Sequence, residues 1–164
     1  MADELRTERL LLRRARAGDL DAMHCILSNP HAMRFWSTLP HQDLAQTREW
    51  LRSMIEAPPA ESDDFIVKLD GTVIGKLGAW RLPEIGYLLD PAAWGCGYAH
   101  EALSAFIEHR RVCGSVELTA DTDPRNVPSR RLLEKCGFEE TGHAARTWFI
   151  GGAWHDSIYY RLVL

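Results

Sequence analysis

Glu84-Ile85-Gly86-Tyr87-Leu88-Leu89-Asp90-Pro91-Ala92-Ala93-Trp94-Gly95-Cys96-Gly97-Tyr98-Ala99 is the stretch from which the fold of this chain is read. A strand, Glu84–Leu89, runs into Asp90-Pro91, then the loop Ala92–Gly97, then a helix opening at Tyr98. That helix carries Ala99, Ala102, Leu103, Phe106 and Ile107 on one face, continues to about Arg111, and stops at Gly114. The first N–H groups of a helix have no intrahelical acceptor, and the macrodipole adds partial positive charge there. Gly95 and Gly97 let the backbone approach a ligand closely and adopt positive φ. Together these features describe an anion site suited to a pyrophosphate. A Walker A loop would end in Gly-Lys-Ser/Thr, whereas Gly97-Tyr98-Ala99 stands here; a dinucleotide fingerprint needs glycine at position 100, which is His100. Taken alone, the two glycines are equally compatible with a turn that only joins strand to helix.

The chain downstream and upstream of this stretch continues the pattern. A strand over Val116–Asp121 leads to Asn126-Val127-Pro128-Ser129-Arg130-Arg131-Leu132-Leu133-Glu134-Lys135-Cys136-Gly137-Phe138. This segment reads as a short helix over Pro128–Cys136, capped by Asn126 or Val127 and closed by Gly137. The last two strands, His143–Ile150 and Trp154–Leu164, flank Gly151-Gly152. Upstream, Phe65–Leu69 and Thr72–Trp80 flank Asp70-Gly71, the two-residue hairpin signal, with Ala57–Asp64 as a loop before them. Helices are expected after a cap at Asp19, with Leu20, Met23, Ile26 and Leu27 on one face, and from Asp43 to Ile55, with Leu44, Leu51, Met54 and Ile55 inward. A strand over Arg9–Arg14 opens the chain. The order β-α-α-β-β-β-α-β-α-β-β predicts an α/β fold, a mixed central sheet flanked by helices, in one domain over residues 1–164.

W-G-x-G-Y-A followed by N-x-x-S-x-x-L-L-E-K-x-G-F resembles the GNAT superfamily of N-acetyltransferases, in its RimJ/RimL-like branch. Thr7–Arg13 resembles that branch's opening strand, Asn29-Pro30 to Trp36 its acceptor-side segment, and Gly151–Tyr160 its closing hairpin. The resemblance implies a sheet whose two parallel strands, Glu84–Leu89 and Val116–Asp121, splay apart. It implies acetyl-CoA as co-substrate and direct attack of a primary amine through a tetrahedral intermediate.

Roles follow from the resemblance, residue by residue. Trp94, Gly95, Cys96, Gly97, Tyr98 and Ala99 would hold the coenzyme A pyrophosphate through backbone N–H groups. Relatives often carry basic residues where Trp94 and Cys96 stand, so main-chain donors are expected to dominate here. The pantetheine arm would pair with backbone near Leu88 and Leu89, where an N–H can also stabilise the oxyanion. Attack requires a neutral amine, and Glu84 is the candidate base, with His41 and Asp156 as alternates. Ser129 would protonate the departing thiolate and Asn126 would contact the coenzyme. Trp36 and Trp80, with Phe35, would line the acceptor pocket. Cys96 invites a covalent acyl-enzyme, but the family acylates the amine directly.

Composition sets outer bounds. Of 164 residues, 46% are hydrophobic and 26% charged, an ordinary globular balance. The net charge of −4 gives no basic surplus for nucleic acid and slightly favours a cationic acceptor. No apolar run is long enough to span a bilayer and the first residues form no signal sequence, so a cytoplasmic address with no membrane partner is expected. Cys25, Cys96, Cys113 and Cys136 lack C-x-x-C spacing and do not pair with histidines, so neither disulfide nor metal is expected. The acceptor is open between a protein N-terminus and a small-molecule amine. The donor is open between acetyl-CoA and another acyl-CoA such as succinyl-CoA, and a non-catalytic acyl-CoA-binding module is the competing class. The fold also admits a homodimer, although no stretch identifies an interface.

Overall fold

The computed structural model describes residues 2–164. Eight strands form a single sheet: β1 (Glu4–Arg6), β2 (Leu10–Arg13), β3 (Asp63–Leu69), β4 (Thr72–Arg81), β5 (Glu84–Leu89), β6 (Glu117–Thr122), β7 (Glu139–Ile150) and β8 (Ala153–Val163). Their spatial order is β1-β2-β3-β4-β5-β6-β8-β7. The first five are joined antiparallel in sequence, and Asp70 (φ 47°) and Gly71 (φ 83°) make the turn between β3 and β4. Positive φ at both central residues suits the right-handed twist of a hairpin, which is why Asp-Gly occurs there. The parallel pair β5–β6 needs a crossover, and α3 (Tyr98–Val112) supplies it. The other helices are α1 (Leu20–Leu27), α2 (Leu44–Glu56) and α4 (Val127–Lys135).

The period-two alternation of β5 divides its side chains between two cores. Ile85 and Leu89, with Tyr87 at the margin, pack with Ala102, Leu103, Phe106 and Ile107 of α3 and Leu133 of α4. Leu88 faces the other way, among Met23, Ile26 and Leu27 of α1 and Ile66 of β3, with Trp36, Trp50 and Met54 alongside. Each fully buried Leu, Ile or Phe contributes roughly 1.5–3 kcal/mol, so the two cores clamp β5 from both faces.

Several expectations are corrected. The amino-terminal strand is really a hairpin, because Glu4–Arg6 pairs with β2 and residues 7–9 turn between them. Asp63 and Asp64 belong to β3 and not to the preceding loop, and β7 starts at Glu139, four residues earlier than expected. Leu44 and Ile55 are exposed; Leu51 is buried and Met54 packs on the core as expected, and Thr47 completes the inward face of α2. Asp19 makes no side-chain cap to α1. Its carboxylate accepts from the Arg16 N–H (2.8 Å) and from the Arg13 guanidinium (2.6 and 2.8 Å). Burial alone would raise the Asp19 pKa, yet these donors hold it below the ordinary carboxylate value. The four cysteines are free thiols.

Candidate active site

Strands β5 and β6 pair through only two residue couples, Glu84↔Thr119 and Ile85↔Ala120, and then part. Beyond that point β5 stays paired with β4 through Gly86, Tyr87, Leu88 and Leu89, so its opposite edge has no ladder partner among the described residues. Backbone polar groups left this way need water or a ligand. The splay thus leaves an opening through the sheet beside Leu88 and Leu89, whose side chains are buried. One carbonyl there is taken: the Trp94 indole N–H donates to Leu89 O at 2.9 Å and pins the following loop to the end of β5.

That loop passes through a short 3-10 turn (Pro91–Ala93) and enters α3 with Gly97 left-handed at the N-cap (φ 83°, ψ 2°). A residue with a Cβ is strained in this conformation, so glycine is favoured. The first helical bond of α3 runs from Glu101 N–H to Gly97 O (3.0 Å). The N–H groups of Tyr98, Ala99 and His100 therefore precede any intrahelical acceptor. Gly97 itself has no side chain with which to cap them. Gly95 (φ 75°), Cys96 and Gly97 expose further backbone. An anion bearing phosphate oxygens fits this cradle.

On the α3–α4 side of the sheet, two hydroxyls meet. Tyr87 OH lies 2.6 Å from Ser129 Oγ. Ser129 is held in the first turn of α4, where its N–H donates to Asn126 Oδ1 at 3.3 Å; Asn126 is thus a helix cap as well as a candidate ligand. Burial pushes the Tyr87 phenol well above its ordinary value, against the opposing pull of the Ser129 hydrogen bond, so it stays protonated.

Glu84 and Gly86 belong to the opposite face. There Glu84, Thr119, Asp121, Thr141, Tyr159 and Arg161 line a cleft of about 460 Å³. Both carboxylates at its edge face an indole: Trp80 Nε1 donates to Glu84 (3.4 Å), and Trp148 Nε1 to Asp121 (2.9 Å). Trp36 lies over Gly86, where an added Cβ would come within 3.8 Å of the indole. Beneath it, buried Lys76 pairs with Asp64 (2.7 Å), donates to Gly86 O (3.3 Å) and sits 5.8 Å from the Trp36 ring centroid. A buried carboxyl is pushed upward by desolvation, and Asp64 is raised despite this lysine.

With this geometry in place, the comparisons with known proteins are informative. Residues 9–139 match the family described as Acetyltransferase (GNAT) domain. The chain belongs to the GNAT acetyltransferase family. As a GNAT member it is an enzyme, an N-acetyltransferase. A curated relative, the uncharacterized N-acetyltransferase p20 of Bacillus licheniformis, is 29% identical over 150 residues, covering 85% of this chain and 84% of its own. A GNAT-family acetyltransferase of Bacillus anthracis has the same fold, with a TM-score of 0.86, 26% identity and 98% of each chain covered. The fold is shared too by the spermidine N-acetyltransferase of Vibrio cholerae, solved with CoA and spermine (TM-score 0.83, 21% identity, 96% of each chain).

Within the GNAT fold the expected residues fall into two groups. Glu84 lines the cleft and meets Trp80, while Trp36 lies over Gly86 and packs beside Leu88, and the residues from Trp94 to Ala99 form the glycine loop. Trp94 is half exposed, stacks on His31 at 4.9 Å and serves the loop through its indole N–H. His41 is buried in the α1–α2 seam, where it shares the Thr47 hydroxyl with His24, and burial lowers its pKa. Asp156 accepts from Arg146 N–H at 2.9 Å on the terminal hairpin. Sequence reasoning missed Tyr87, Asp121 and Arg9. For Tyr87 the signal was available: alternation from Glu84 puts position 87 on the opposite face, toward the Ser129 helix. Among the described residues, no group of three or more His, Cys, Asp or Glu is arranged to hold a metal ion. No helix among them is long and apolar enough to cross a membrane.

Proposed function

We propose that this GNAT domain moves an acetyl group from acetyl-CoA to a primary amine, the donor lying along the β5–β6 opening and the amine arriving from the Glu84 cleft. The observation that carries this reading is the parting of β5 and β6 after Ile85 and Ala120, between the glycine loop on one side and two carboxylates on the other. N–H groups from Gly95 to Ala99 would hold the diphosphate, with Asn126 beside them, and the free edge of β5 at Leu88 and Leu89 would pair with the pantetheine amides. A backbone N–H on that edge would stabilise the oxyanion of the tetrahedral intermediate.

Glu84 then takes the proton that the attacking nitrogen must lose, and Ser129 offers its hydroxyl to the departing sulfur while Tyr87 donates to Ser129 Oγ. The acceptor carries an ammonium at rest, which Glu84 and Asp121 attract, and the indoles of Trp36, Trp80 and Trp148 can face its apolar part. Spermidine-type amines and protein N-termini both satisfy that chemistry. The test follows free thiol released from acetyl-CoA and, in parallel, succinyl-CoA, with spermidine and with a serine-initiated peptide as acceptors. Amine-dependent release from acetyl-CoA is expected. Release from succinyl-CoA alone would overturn the donor, and binding of acetyl-CoA without release to any amine would overturn the acceptor class.

A further inference from the structure

Arg9 stands in the turn between β1 and β2, 87 residues away in sequence from the loop it touches. Its backbone N–H and Nε both donate to the Glu101 carboxylate in the first turn of α3 (2.8 and 2.7 Å), to which Thr7 Oγ1 also donates (2.5 Å). The guanidinium lies over the Tyr98 ring, with Cζ 4.5 Å from its centroid. Nη1 donates to the Cys96 carbonyl at 3.1 Å, and Nη2 is 3.5 Å from where a Cβ on Gly97 would be. An exposed Arg–Glu pair is by itself worth little. This one does more than join α3 to the amino-terminal hairpin, because the same guanidinium also grips the carbonyl in the middle of the glycine loop.

Peptide geometry gives that grip a direction. In a planar trans peptide the C=O of one residue and the N–H of the next point opposite ways. Holding Cys96 O toward Arg9 therefore turns Gly97 N–H away from Arg9, to the other side of the loop. We propose that Arg9 is the positioning residue of the coenzyme site, orienting Gly97 N–H toward the diphosphate. This inference rests on the reading that the glycine loop holds the diphosphate.

The experiment compares wild type, Arg9→Gln and Arg9→Lys as full chains, measuring calorimetric CoA affinity and steady-state constants with two donors. One donor is acetyl-CoA; the other is S-acetyl-N-acetylcysteamine, a short thioester with no diphosphate. Arg9→Gln is expected to raise the CoA Kd and the acetyl-CoA KM about tenfold, the scale of one charge-assisted hydrogen bond, with kcat at saturation unchanged. Turnover of the short thioester should be unaffected. Arg9→Lys keeps charge but cannot span Glu101 and Cys96 together, so an intermediate Kd is expected. Equal CoA affinity in wild type and both variants overturns the inference alone. Equal losses with both donors also overturn it, because they would mark a general folding defect. No CoA binding by wild type overturns the reading of the loop, and the inference with it.

Discussion

Replacing Glu84 by Gln tests the acid–base chemistry with little structural disturbance. The side chain keeps its size, and its amide oxygen can still accept from Trp80 Nε1, which is 3.4 Å from Oε1. Glu84 is half-buried at the rim of an open cleft, so the change should alter stability by no more than about 0.5 kcal/mol. If Glu84 generates the neutral amine, the loss of rate at pH 7 is bounded by the fraction of acceptor already neutral. An α-amino group of pKa about 7.8 is about one-seventh neutral there, which bounds the loss near sevenfold. For an alkyl ammonium of pKa about 10.4 the neutral fraction is about 1 in 2,500, and the loss can approach that factor. The assay is kcat/KM for the amine from pH 7 to 10.5, at saturating acetyl-CoA. The deficit should shrink about tenfold per pH unit and vanish above the amine's own pKa, so its size also reports which kind of amine is used. A deficit that stays constant across this range, or no deficit, would refute the role assigned to Glu84.

Tyr87→Phe removes the hydroxyl 2.6 Å from Ser129 Oγ; stability should fall by about 1 kcal/mol and kcat about tenfold with KM unchanged. Steady-state kinetics should also show the Tyr87→Phe/Ser129→Ala double variant no worse than the weaker single one, as for groups acting in one unit. Gly75→Ala places a Cβ 2.1 Å from Leu88 O and 2.8 Å from Leu89 Cα, so the splayed strand must move; Gly95→Ala meets nothing within 4 Å and bears only its positive φ. Denaturant titration should give about 1–2 kcal/mol for Gly95→Ala and clearly more for Gly75→Ala, together with weakened CoA binding. Acid should unfold the protein through Asp63 and Asp19. Burial would raise Asp63, but Arg110 and Arg14 outweigh it and keep its pKa below the ordinary value. A carboxyl lowered on folding stabilises at pH values above about 3.9 and loses that contribution as pH falls through its native pKa. Melting temperature should therefore drop steeply below pH 4, and Asp63→Asn should flatten that drop.

The glycine-loop stretch was legible because several local signals agree there. Glu84–Leu89 and the start of α3 at Tyr98 occur where apolar alternation, Asp90-Pro91 and the two glycines set them. The N-terminal hairpin was not legible: Glu4–Arg6 is three residues long, mostly exposed and on the sheet edge, so it carries no apolar period. The face of α2 was misjudged because Leu44 and Ile55 look like core residues, whereas burial goes to Thr47, whose hydroxyl meets both His24 and His41. Arg9 and Asp121 could not be found by local pattern at all. Their partners, Cys96, Glu101 and Trp148, are contributed by distant segments, and only the folded sheet brings them together.

The two couples that join β5 to β6 are also a seam in the chain's architecture. Every strand on one side of it, β1 to β5, precedes Gly114, and every strand on the other, β6 to β8, follows it. The Gly114 turn, with exposed Cys113 before it, is therefore a natural cutting point for a two-fragment version of the protein. Each half would carry its own sub-sheet, α1 to α3 with the first and α4 with the second, and reassembly would recreate the opening between them. Hydrogen exchange on the intact chain should then resolve two cooperative units, with the amides of Tyr87 to Leu89 slowed when coenzyme A bridges the halves.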